Sequence, residues 1–202
     1  MSSIIKVNTV QDVDGNNIIN ENANVITIGA SGDTITIPSG VTIANSGTAT
    51  GFGGDLTPAF HANNTSNPTW SVNTHTKIAF TNENFDTDSA YDTSTSRFTV
   101  PSGEGGKYYI GSTVQLYGTS DYYELFARIY VNGSAENQLS LRFHVFTNDL
   151  LPGNINQNFS FGGIKTLSAS DYIEVYGMVN AASGNSAINQ QSTFFAYKLI
   201  GV

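Results

Sequence analysis

Four long stretches of this chain alternate apolar and polar residues with a period of two, which leaves little room for helix. In Lys107–Tyr117, Tyr108, Ile110, Val114 and Leu116 share one face, with Lys107, Thr113 and Gln115 opposite. In Tyr122–Val131 the apolar set is Tyr123, Leu125, Ala127, Ile129 and Val131. Leu139, Leu141, Phe143 and Val145 alternate with Ser140, Arg142 and His144, and Ile173, Val175 and Val179 continue the pattern. Successive side chains of a strand point to opposite faces, so each run describes a strand with one buried side. Turn residues such as Asn132-Gly133 and Gly103–Gly106 separate the runs. About eight or nine strands spaced this way predict an all-β, two-sheet sandwich.

Composition narrows the function. Charged residues make up only 12% of the chain, against 12 Phe and 10 Tyr. The net charge is −8 and the eight Lys and Arg residues are scattered, so the clustered basic footprint of a nucleic-acid binder is absent. The same charge opposes an anionic membrane surface, and no apolar run approaches the ~20 residues of a spanning helix, so neither nucleic acid nor membrane insertion is expected. Without cysteine there is no disulfide, thiolate ligand or thiol nucleophile. The N-terminal MSSIIKVNTVQDVDG does not read as a secretory signal, which predicts assembly inside a cell and release by lysis.

The first 46 residues differ from the rest. Val25–Ile28 and Thr34–Ile37 each alternate apolar and polar residues, and Asp14-Gly15-Asn16 suits a hairpin turn. Strands this short cannot bury a core alone, so residues 1–46 are expected to form a β stalk that gains its apolar contacts by trimerisation. Residues 47–56 form a Gly-rich linker, and residues 57–202 form the head.

The ordered set Phe85, Tyr91, Phe98, Thr99, Pro101, Gly106, Tyr108 and Tyr109 resembles the globular head of complement component one-q. That fold is a jelly roll shared with tumour necrosis factor. Val131-Asn132-Gly133, Leu167, Asp171-Tyr172-Ile173, Phe194, Phe195, Tyr197 and Leu199 extend the resemblance over roughly residues 57–202. It implies a jelly-roll sandwich that forms trimers and works by contact. VITIGASGDTITIPSGVTI followed by NSGTATGFGG resembles the start of marine bacteriophage fibre-type proteins.

The expected function is therefore a non-enzymatic virion structural protein of a tailed phage, a short trimeric fibre or decoration protein. Its N-terminus would attach to other virion proteins, and its head would meet a host-surface glycan or protein. A soluble glycan- or protein-binding module without a virion role is the alternative, with a calcium-dependent glycan hydrolase third. Phe126, Tyr130 and Phe194 lie opposite the inward sets of their strands and are expected at the threefold axis. Tyr91 and Asp92, on an Asn/Asp-rich segment, are the candidate receptor contacts. Glu83, Asp86, Asp88 and Asp92 are the candidate calcium ligands, although such residues equally stabilise turns by bonding their own backbone. No other cofactor is expected, because His61, His75 and His144 lack the close spacing of a zinc site.

Overall fold

The computed structural model describes residues 9–11, 13–15, 17–22, 25–29, 31–42, 56–144 and 151–199. Residues 47–55 of the expected linker, Asn16 of the expected turn and Val145 of the third alternating run lie outside them. The chain divides into two compact units, Met1–Thr50 and Gly51–Val202.

In the first unit, β1 (Thr9–Gln11), β2 (Asn17–Asn22) and β3 (Val25–Ile28) form an antiparallel meander. Asp14 and Gly15 turn the chain between β1 and β2, with Gly15 at φ +86° and its carbonyl accepting from Gln11 Nε2. Thr34–Ile37, expected as a strand, carries no regular structure. Alternation alone does not make a strand when no partner offers a ladder of hydrogen bonds. Val25, Ile26, Ile28, Ile35, Ile37 and Val41 are all exposed.

The second unit contains β4 (Ala59–Asn63), β5 (Thr69–Ser71), β6 (Thr76–Lys77), β7 (Asn82–Asp86), β8 (Tyr91–Asp92) and β9 (Arg97–Thr99). Longer strands follow: β10 (Gly106–Gly118), β11 (Tyr122–Val131), β12 (Ser134–His144), β13 (Gln157–Leu167) and β14 (Tyr172–Ala181). β15 (Asn185–Ile188) and β16 (Thr193–Lys198) close the set. One sheet runs β7-β4-β16-β10-β13, with β15 and β5 continuing beside the far end of β10. The other runs β12-β11-β14-β9-β8, with β6 on β14.

Every pairing is antiparallel, and the chain changes sheet after β5, β6, β7, β9, β10, β12, β13 and β14. Taking β4-β16-β10-β13 against β9-β14-β11-β12 gives four strands facing four, joined by Greek-key connections. The fold is an all-β jelly roll.

Between the sheets, Phe60 stacks on Tyr91 at 4.6 Å and on Phe98 at 4.9 Å, and meets the Phe194 ring edge-on at 4.9 Å. Ile110, Val114 and Leu116 of β10 and Leu125, Ala127 and Ile129 of β11 fill the middle with Ile173, Val175 and Val179 of β14. These are the inward faces predicted by alternation, with one correction. Between Tyr122 and Glu124 the β11–β14 register shifts by one residue, a bulge that changes which face each side chain takes. Tyr122 is therefore buried, its hydroxyl donating to the Ile155 carbonyl, and Tyr123 is exposed.

Candidate functional site

The sandwich has two outer faces, and they differ in chemistry. On the first sheet, the outward residues of β4, β16 and β10 bring together His61, Phe195, Tyr197 and Tyr109. Tyr109 lies 6.2 Å from Phe195 and 5.6 Å from Tyr197, while His61 lies 6.3 Å from Phe195 and 6.2 Å from Phe85. Phe85 on β7 and Ile164 on β13 stand at opposite edges of this face, 51% and 62% exposed. Between the aromatic ridge and β13 is a depression of about 380 Å³, bounded by Tyr109, Thr113, Ser160, Gly162 and Phe195. Two glycines paired across β10 and β13, Gly111 and Gly162, open it. A Cβ on Gly111 would sit 2.4 Å from the Phe195 ring, and one on Gly162 would sit 2.5 Å from the Ile110 carbonyl oxygen.

The outer face of the second sheet is ionic. Glu174, 2% exposed, accepts from Lys77 Nζ at 3.2 Å and Arg97 Nη2 at 3.0 Å. Glu124, 4% exposed, accepts from Arg142 and from the Asn180 amide, with His144 Nδ1 at 3.5 Å. A buried carboxylate persists only where partners replace its water, and both have them. Aromatic rings fill the spaces between. Arg97 lies over Tyr172 at 3.7 Å, and Tyr130 stacks on Tyr176 at 3.9 Å. Phe126 is covered by Arg128 at 4.9 Å and met edge-on by His75 at 5.5 Å. Glu174 pairs with Tyr130, six residues along β11 from Glu124, so about 20 Å of strand separates the two carboxylates. That is well beyond the ~5–9.5 Å of a glycosidase pair.

Several residues singled out in the sequence lie elsewhere than expected. Phe194 is not on a surface; it is wholly buried against Phe60 and Phe80, and its neighbours Phe195 and Tyr197 face outward. Two aromatics in succession fit either phase of a strand, and here Phe194 is the one turned inward. Phe126 and Tyr130 do share an outer face, on the second sheet. Tyr91 is 6% exposed, stacked in the core with its hydroxyl donating to the Phe80 carbonyl at 2.8 Å, so it presents no ring to a receptor. Burial holds its phenol well above the usual tyrosine range.

Of the four acidic residues, Glu83 lies on β7 opposite Ala62, and the other three act within turns. Asp86 accepts from the Asp88 and Tyr91 amides, and Asp88 accepts from the Thr87 hydroxyl. Asp92 accepts from the Ser94 hydroxyl and amide and from the Thr95 hydroxyl. Among the described residues no group of three or more His, Cys, Asp or Glu converges as a metal site.

These bonds, led by that from the Ser94 hydroxyl, lower the Asp92 carboxyl to about 2. Because the folded value lies below the ordinary aspartate value of 3.8, the turn is fully stabilised above pH ~4 and loses that contribution as pH falls towards 2. A carbon-detected titration should place the Asp92 midpoint near 2, and Ser94→Ala should raise it. A midpoint near 4 in the unaltered chain would show that the turn is not formed in solution.

No family model matches the chain. Over 108 residues it is 30% identical to a Bacillus subtilis (strain 168) protein described as uncharacterized protein YqcC, a match covering 52% of this chain and 28% of that one. The chain thus spans under a third of the curated relative it matches. Among solved structures it is similar to the globular domain of zebrafish complement 1qA protein, at 17% identity and a TM-score of 0.49. That similarity covers 70% of this chain and 97% of the other. It is also similar to the Eiger tumour necrosis factor of S. frugiperda, at 14% identity and a TM-score of 0.49, covering 70% and 91%.

Proposed function

We propose that this chain is a non-enzymatic contact module that closes into a homotrimer through the outer face of its first sheet. The observation that carries the reading is the shape and chemistry of that face: an aromatic ridge, a glycine-floored depression, and an exposed apolar side chain at each edge. Knob and hollow on one surface suit a head-to-tail contact, which closes into a ring when the rotation permits. An apolar aromatic patch rimmed by polar strands is the usual mark of an interface. The second sheet and the loops are then left facing solvent, and three copies of a weak site bind with avidity. Light scattering should return about 65 kDa for three chains of 21.6 kDa each. A mass near 22 kDa at micromolar concentration would overturn the assembly.

The setting we propose is the virion of a tailed phage, with residues 1–46 as attachment segment to other virion proteins. Support comes from the first unit, whose described large apolar residues are exposed and whose three described strands are too short to cover them. Such a segment gains its stability from a larger assembly. Gold-labelled antibody to the head should decorate intact particles, and deleting residues 1–46 should abolish the decoration. Free protein with no particle association would instead favour a soluble glycan- or protein-binding module.

A further inference from the structure

The ionic face of the second sheet leaves one arginine uncommitted. Of the chain's three arginines, Arg97 is bonded to Glu174 and Arg142 to Glu124. Among the described residues Arg128 has no carboxylate partner, and its Nε is buried without any hydrogen-bond partner. Lys107 is the other described cation outside an ion pair, but it is an exposed lysine that water solvates. A half-buried guanidinium is a different matter, because its Nε–H has lost water and gained no acceptor while the rest of the fork stays within reach of a ligand.

A second buried polar atom without a partner, His75 Nδ1, belongs to the same cluster. His75 and Arg128 pack against one ring, that of Phe126, and Arg142 lies 5.6 Å from it. In register, Arg128 sits opposite Ser140 on β12 and Tyr176 on β14, and Tyr176 sits opposite Lys77 on β6. Lys77 and Arg142 are held by Glu174 and Glu124, so the positive charge at the centre of the cluster is that of Arg128. His75 is kept below the ordinary histidine range, first by burial and then by the Arg128 charge, which leaves its imidazole neutral and able to donate or accept.

We propose that Arg128 anchors an anion site that takes the carboxylate of an acidic sugar. The guanidinium fork matches a carboxylate geometrically. The Tyr130–Tyr176 pair beside it supplies apolar ring surface with hydroxyls at the rim, and Ser140 adds another hydroxyl. The net charge of −8 repels a densely anionic polymer, so the ligand that fits is one carboxylate in an otherwise neutral sugar frame. This deepens the contact-module reading by naming its ligand class, and rests on that reading for avidity alone.

The test uses the full chain labelled with ¹⁵N-arginine, which gives three Nε–H resonances. Titration with sodium D-glucuronate should shift the Arg128 resonance saturably, whereas methyl glucoside should leave it in place. Arg128→Gln should weaken glucuronate binding at least tenfold, and Tyr176→Ala should weaken it several-fold with the Arg128 resonance retained. Sodium acetate is the control for the sugar: equal affinity for acetate would overturn the acidic-sugar assignment. No saturable shift with glucuronate would overturn the site itself. Light scattering on the same samples separates the two readings, because a monomer that still binds glucuronate through Arg128 refutes the trimer and leaves this site standing.

Discussion

Tyr109→Asp is expected to convert the proposed trimer to monomer while leaving the jelly roll folded. Tyr109 points outward from the first third of β10 and lies outside the core, which on that strand belongs to Tyr108, Ile110, Val114 and Leu116. Its ring instead completes the ridge with Phe195 and Tyr197. In a closed trimer the substitution would bury three carboxylates close to one another. Each costs several kcal/mol, against an association free energy of about 8–16 kcal/mol for micromolar to picomolar interfaces. In the monomer the same aspartate is solvated and close to neutral for folding. Light scattering should therefore fall to 21.6 kDa with far-ultraviolet circular dichroism unchanged. Tyr130→Asp, on the opposite face, should leave the mass unaltered. A Tyr109→Asp protein that kept the trimer mass would move the interface to another surface.

The long strands were legible because they alternate cleanly over many residues. β10 presents Tyr108, Ile110, Val114 and Leu116 inward as its pattern dictates, and so does β14 with Ile173, Val175 and Val179. Legibility failed where period two is broken or ambiguous. The bulge near Tyr122 exchanges the two tyrosines, and a bulge has no signature in hydrophobicity alone. Phe194-Phe195 offers an aromatic to either phase, so sequence could establish that both faces of β16 were apolar but not which ring entered the core. Tyr91 sits in a short polar segment and reads as exposed. Only the pairing of β8 with β9, Tyr91 opposite Phe98, turns it inward.

The ionic face was the least readable part. Glu124 and Glu174 occupy outward positions where a charged residue signals solvent, yet cross-strand neighbours cover them almost completely. Their partners come from four strands, β6, β9, β12 and β14, and that juxtaposition exists only once the register is known. Arg128 shows the same limit from the other side: nothing in the sequence distinguishes it from Arg142, fourteen residues on, and only the carboxylate inventory does.

Phe60→Ala should be the most destabilising single change in the core. The ring is 1% exposed and contacts three others at under 5 Å: Tyr91 and Phe98 in near-parallel stacks and Phe194 edge-on. These come from β4, β8, β9 and β16, so one side chain bridges the two sheets at the end where the strands are shortest. Truncating a buried Phe removes its transfer free energy and leaves a cavity, about 3–5 kcal/mol together. Stacked and edge-on ring pairs add about 0.5–1.5 kcal/mol each beyond area, which places this site at the upper end. The backbone around it offers little relief, because β4 is hydrogen-bonded on both edges, to β16 and to β7, and cannot move inward freely. A domain of this size is stable by about 5–15 kcal/mol, so a third or more of the total is at stake. The measurement belongs in the Tyr109→Asp background, where subunit association no longer adds a concentration-dependent term. Urea unfolding there should show a lower midpoint at constant slope, with Phe60→Leu costing less than Phe60→Ala. A loss below about 1 kcal/mol would mean the surrounding rings collapse into the space, and that the aromatic block does not hold the two sheets together.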